Sequence, residues 1–145
     1  MNVVVDASVA IKWFLAEDHT ADAESLISSD FDIHAPELAI SEFGNIVWKK
    51  LRYGDVQTGE GAAIVDAFFK VGINFHSNGP LLSAAVEIAV ESGQTVYDCT
   101  YLALAIALDC PVITADRKFF LGLRNTRFRN QIVWIENINA LIKNS

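Results

Sequence analysis

Little in this chain is set aside for crosslinking, for crossing a membrane or for holding polyanions by bulk charge. Only two of its 145 residues are cysteine, Cys99 and Cys110, and they lack CxxC spacing. Both lie in apolar surroundings, so they read as buried free thiols in a reducing compartment rather than as a disulfide. There is no repeat, no low-complexity tract and no linker rich in Pro, Gly or Ser. The most apolar stretch, Cys99 to Leu108, is bracketed by Asp98 and Asp109 and is about half the ~20 residues that span a bilayer. The N-terminus carries no basic segment followed by a cleavage site. The expectation is one domain over residues 1–145, in the cytosol and off the membrane. A chain of this length buries roughly 70% of its unfolded surface without staples.

An excess of positive charge is also missing. Eleven Lys and Arg face eighteen Asp and Glu, a net charge of −7, which argues against a general nucleic-acid binder. The charge is unevenly spread. Residues 1–110 carry a balance of −11, whereas residues 111–145 carry +4. Arg117, Lys118, Arg124, Arg127 and Arg129 follow Asp116, and Lys49, Lys50 and Arg52 follow Glu42. Basic groups beside an acidic centre suit a phosphate grip; ordinary solvated helix faces account for them equally well. Apolar residues make up 52%, which fits either a heavily buried central sheet or an apolar surface reserved for a partner.

What is present is an alternation of short β-branched runs with longer helical ones, which predicts an α/β/α sandwich with a mostly parallel sheet. Strands are expected at Val3–Val5, Asp32–His34, Ile73–Phe75, Pro111–Thr114 and Ile132–Ile135. Ser8 reads as the N-cap of a helix through Leu15. Further helices are expected over Thr20–Ser28, from Pro36 in a first turn to Gly54, over Gly61–Val71, and from Pro80 to near Gly93. Three more follow: one opened by Asp98, a short one after Asp116, and one closing the chain from Asn137. Gly59-Glu60-Gly61 lacks a GK[ST] ending and follows no strand, so it reads as a turn before a helix. His19, His34 and His76 show no pairing suited to acid–base cleavage and read as surface or core residues. Trp13, Trp48 and Trp134 suit core or interface positions, with base stacking as the alternative.

Four acids stand out. Asp6 closes the apolar run Asn2-Val3-Val4-Val5, and Asp116 follows Val112-Ile113-Thr114, so both fall at the carboxyl ends of predicted strands, where ligands gather in such folds. Glu42 borders the apolar arc of Ile40, Phe43, Ile46, Val47 and Leu51, on a stripe with Asn45 and Lys49. Asp98 opens a helix apolar around most of its circumference. Each has a plain alternative: Asp6, Asp98 and Asp116 as caps, Glu42 as a solvated helix residue. If the fold gathers them, their mutual repulsion calls for a hard cation with oxygen ligands.

The segments holding these acids carry a resemblance. Val3-Val4-Val5-Asp6-Ala7-Ser8 resembles the opening of a PIN domain. Leu38-x-x-Ser41-Glu42-x-x-Asn45 is similar to that family's second acidic segment, Tyr97-Asp98-Cys99-Thr100-Tyr101-Leu102-Ala103-Leu104-Ala105 to its third, and Thr114-Ala115-Asp116-x-x-Phe119 to its fourth. Cys99 stands where the family usually has alanine. Order and spacing cover nearly the whole chain, and its length fits the single-domain VapC-like toxins of toxin–antitoxin pairs. The resemblance implies a PIN-type nuclease domain and an endoribonuclease dependent on Mg²⁺ or Mn²⁺. By it, Asp6, Glu42, Asp98 and Asp116 hold the metal and Ser8, Asn45 and Thr114 orient that shell. It also implies an RNA substrate, a cognate antitoxin protein and a homodimer.

Other readings fit less well. A PIN-like RNA- or protein-binding module without catalysis is the main alternative, and the presence of all four acids argues against it. A signalling receiver needs an acidic pair after its first strand, but Asp6 is followed by Ala7-Ser8. A haloacid-dehalogenase-type phosphatase needs DxD there, and Ser8 takes the second position.

Overall fold

In a computed structural model that describes residues 1–144, strand β1 (Asn2–Val5) is the centre of a five-stranded, wholly parallel sheet. Val3, Val4 and Val5 are each at most 1% exposed, as β-branched residues covered on both faces of a sheet should be. The order is β3-β2-β1-β4-β5, with β2 at Asp32–Pro36, β3 at Asn74–His76, β4 at Val112–Thr114 and β5 at Ile132–Trp134. Val3 pairs with Ile33, Val5 with Ile113 and Thr114 with Trp134.

Helices cover both faces, giving the three-layer α/β/α sandwich. Val4, Val112 and Ile132 pack with helices α5 (Leu82–Ser92) and α6 (Val96–Ala107). Val3, Val5, Ile33 and Ile113 pack with α2 (Thr20–Ile27) and α8 (Ile138–Asn144). A third cluster joins α1 (Ala7–Ala10), α3 (Leu38–Arg52) and α4 (Gly61–Lys70), where Phe43 and Phe68 stack at 4.0 Å. A short helix α7 (Arg117–Gly122) follows β4. From Cys99 to Ala105, α6 is buried on every side, which explains its unbroken apolar sequence. Cys99 and Cys110 are both free and buried. Among the described residues no helix is long and apolar enough to cross a membrane.

Several boundaries differ from the sequence reading. Asp6, not Ser8, caps α1, and the helix tightens into a 3₁₀ turn over Ile11–Trp13 instead of running to Leu15. Pro36 ends β2 rather than opening α3. β1 pairs with β2 only as far as Val4 opposite His34, so the missing N–H of Pro36 lies beyond that ladder. Thr95 caps α6, and Asp98 is its third residue. Pro80 lies in a 3₁₀ turn before α5, which Gly93 ends at φ +74°. The last strand stops at Trp134, and Ile135–Asn137 form a 3₁₀ turn. The histidines are not all unpaired: His34 Nδ1 and His76 Nε2 lie 2.9 Å apart on neighbouring strands, and His34 Nε2 lies 3.2 Å from Asn2 Oδ1. Burial and the neighbouring His76 push the His34 pKa down, which favours the neutral ring that such a pair needs.

Candidate active site

Asp6 and Asp116 leave adjacent parallel strands, so both emerge at the carboxyl edge of the sheet. Asp6 is 7% exposed and fully engaged. Its Oδ1 accepts hydrogen bonds from the Val9 amide at 3.2 Å and the Ser8 hydroxyl at 2.5 Å, and its Oδ2 accepts one from the Thr114 hydroxyl. Each hydroxyl also accepts an amide from the turn after β4: Ala115 N to Ser8 Oγ at 3.0 Å, and Asp116 N to Thr114 Oγ1 at 3.0 Å. Ser8 and Thr114 therefore tie Asp6 to the backbone that presents Asp116. Asp116 caps α7, its Oδ1 accepting from Lys118 N and Phe119 N at 3.0 and 3.3 Å.

The other two acids come from helices. Glu42 is half-buried on α3, and its Oε1 accepts the Tyr101 hydroxyl of α6 at 2.8 Å. Asp98 lies one turn before Tyr101, and its amide donates to the capping Thr95 hydroxyl at 3.2 Å. Asn45 is exposed on α3, and among the described residues it has no hydrogen bond to any of the four acids.

Charge couples the four. Burial first, and the Asp116 charge last, push Asp6 up to about 6 against hydrogen bonds from Ser8, Thr114 and Val9. Burial also raises Glu42, with Asp98 and Asp116 adding to the rise and Tyr101 opposing it. Asp98 is raised by burial and then by Asp116, with Thr95 and Lys118 pulling the other way. Asp116 thus acts on all three partners.

The sequence matches the PIN domain over residues 3–121. This chain belongs to the PIN domain family. It is 33% identical over 121 residues to Ribonuclease VapC3 of Pyrobaculum aerophilum, which spans 81% of this chain and 92% of that protein. To Ribonuclease VapC9 of Mycobacterium tuberculosis it is 27% identical over 114 residues, 79% of this chain and 85% of that one. Solved structures share the fold. PAE2754 of Pyrobaculum aerophilum superposes with a TM-score of 0.71 at 21% identity, over 100% of this chain and 91% of that one. VapC20 of Mycobacterium tuberculosis, described as a sarcin–ricin loop cleaving toxin, gives 0.64 at 14% identity, over 81% and 92%. VapBC2 of Rickettsia felis, bound to a promoter DNA fragment, gives 0.66 at 13% identity, over 92% and 98%.

In this PIN domain the donor set is uniformly hard oxygen, carboxylates supported by hydroxyls, which fits Mg²⁺ or Mn²⁺ in kind. Among the described residues no three His, Cys, Asp or Glu side chains are gathered closely enough to hold a metal ion. The fit is therefore one of donor chemistry and mutual charge. Tyr101 is the residue whose part in the site sequence reasoning missed. It lies within the third acidic segment, three positions past Asp98, where a hydroxyl on an otherwise apolar helix was the available signal.

Proposed function

We propose that this PIN domain is a metal-dependent endoribonuclease of the VapC toxin type. The single observation that carries the reading is the hydrogen-bond network by which Ser8 and Thr114 tie the buried Asp6 to the turn presenting Asp116, with Glu42 and Asp98 near enough to feel the Asp116 charge. The match to relatives named ribonucleases supports it. Asp6, Glu42, Asp98 and Asp116 would hold Mg²⁺ or Mn²⁺ directly or through water, with Ser8 and Thr114, and Asn45 from the exposed flank of α3, orienting them. A bound divalent ion supplies an acidified water and charge neutralisation at the scissile phosphate.

The chain's own groups do the positioning. Ser8 and Thr114 fix both oxygens of Asp6, and Tyr101 fixes Oε1 of Glu42. Glu42 Oε2 and Asp116 Oδ2 carry no protein hydrogen bond among the described residues and are the oxygens left for water and ligand. Lys118 and Arg117, exposed beside Asp116, suit the flanking phosphates. In-line attack by water leaves a 5′-phosphate and a 3′-hydroxyl.

The same reading includes a protein antitoxin, a homodimer, a cytosolic location and one nuclease domain over residues 1–145. Exposed apolar side chains support partner binding: Leu82, Val86 and Val90 at four-residue spacing on α5, and Trp48 and Phe69 on α3 and α4. The deciding experiment compares Mg²⁺-dependent RNA cleavage by wild type and Asp98→Asn at matched folded fraction. The variant loses at least about 100-fold, as expected for a lost ligand. Equal rates remove Asp98 from the mechanism. RNA binding without cleavage by the wild type favours the binding-module reading instead.

A further inference from the structure

A recess of about 170 Å³ opens beside the acidic site, lined by Arg117, Phe120, Leu121, Trp134 and Glu136. Its position follows from the sheet. Trp134, the last residue of β5, is directly in register with Thr114, whose hydroxyl holds Asp6. Neighbouring strands lie about 4.8 Å apart, so the recess begins one strand over from the acids. Helix α7 supplies the other wall. Arg117, Phe120 and Leu121 fall at i, i+3 and i+4 spacing and share one face, while Phe119 on the opposite face is buried in the core.

The lining is built of aromatic planes with one charge of each sign at the rim. Phe120 and Trp134 have ring centroids 5.6 Å apart, and His19 meets the Trp134 ring edge-on at 5.8 Å while approaching Glu136 to 3.5 Å. Trp134 is thus steadied rather than loose. Glu136 remains 59% exposed, and Arg117, also exposed, has no acidic partner within salt-bridge distance among the described residues. A flat aromatic wall, a carboxylate able to accept from an amino group, and a free cation match an unpaired nucleobase with its phosphate. A protein side chain would satisfy the aromatic wall but would not call for both charges so close to a phosphate-cleaving centre.

We infer that this recess is a base-binding subsite, seating one unpaired RNA base next to the scissile phosphate, with Trp134 as the stacking surface and Glu136 selecting bases that present an amino group. The inference rests on the ribonuclease reading.

The test is nucleotide-resolved cleavage of a randomised single-stranded RNA pool in Mg²⁺ by wild type, Trp134→Leu and Glu136→Ala, with KM and kcat on the preferred sequence. Glu136→Ala removes the acceptor and should relax base preference at one position near the cut by about 10-fold, the scale of one lost base-edge contact. Trp134→Leu should raise KM roughly 10-fold with little change in kcat, the scale of one lost stacking contact. If Trp134→Leu does not fold, the exposed Glu136→Ala decides alone. Unchanged base preference in Glu136→Ala, with wild type active, overturns the subsite and leaves the ribonuclease reading standing. The same holds if the variants keep the wild-type profile but bind an antitoxin less well. A wild type that cleaves no RNA overturns both.

Discussion

Tyr101 is 2% exposed, and its hydroxyl is spent on one oxygen of Glu42. Tyr101→Phe keeps the ring and removes that donor, so packing survives while Glu42 loses its support. The hydrogen bond holds the Glu42 pKa down against burial. Its loss should therefore raise that pKa further, shift the acid limb of the activity profile to higher pH, and cost about 1–2 kcal/mol of stability. An unchanged Glu42 titration by carboxyl NMR would show that Tyr101 only fills space. Asp6 gives a second prediction, of opposite sense to the common behaviour of paired carboxylates. Its folded pKa of about 6 stands above the 3.8 of the unpaired group. The folded state therefore holds this proton more tightly than the unfolded chain does. The stabilisation is complete below about pH 4 and lost as pH rises through about 6, a fall of about 3 kcal/mol. Urea denaturation in chelator at pH 4.5 and pH 7 should capture about 2 kcal/mol of it. Asp6→Asn keeps a capping oxygen for α1 and should flatten the fall. A wild type that gains stability over this window relative to Asp6→Asn would rule the account out.

Elements were more legible than the contacts between them. The β-branched runs at Val3–Val5 and Val112–Thr114 and the apolar helix after Asp98 stand out because burial on both faces leaves no room for polar alternation. That layering fixed the sandwich, and it placed Asp6 and Asp116 at strand ends. Caps were misjudged at two places for a common reason. Ser8 and Asp98 are good capping types, but Asp6 and Thr95 have the extended backbone, at ψ 170° and 155°, that an N-cap needs. Ser8 is instead turned toward Asp6 and the Ala115 amide. Contacts across long sequence separations left no local trace. Asp6 and Thr114 are 108 positions apart, Glu42 and Tyr101 59, and His34 and His76 42. Each depends on which strands or helices become neighbours, and the order β3-β2-β1-β4-β5 is set by packing of the whole chain. Asn45 shows the converse: its spacing from Glu42 puts it on the same stripe, but there it is exposed and, among the described residues, has no hydrogen bond to the acids.

At the scale of the whole molecule, the net charge of −7 and the coupling of four acids describe one problem. Without a cation, burial and neighbouring carboxylates oppose ionisation of Asp6, Glu42 and Asp98, and the fold bears the cost. Lys118 eases it at Asp98 only, and the positive balance of residues 111–145 lies mostly on exposed α7 and the turns after it. Divalent cation and stability should therefore be linked. In chelator at pH 7.5, Asp98→Asn should melt above wild type, because one repelling charge is gone. In Mg²⁺ the order should reverse. Ligand at a hundredfold excess over its dissociation constant adds about 2.7 kcal/mol to the state that binds it, which raises the melting temperature of a chain this size by roughly 5–10 °C. NaCl at matched ionic strength separates a bound ion from general screening. Equal gains in NaCl and MgCl₂, or a wild type already above Asp98→Asn in chelator, would mean that the four carboxylates neither strain the fold nor take up a divalent ion.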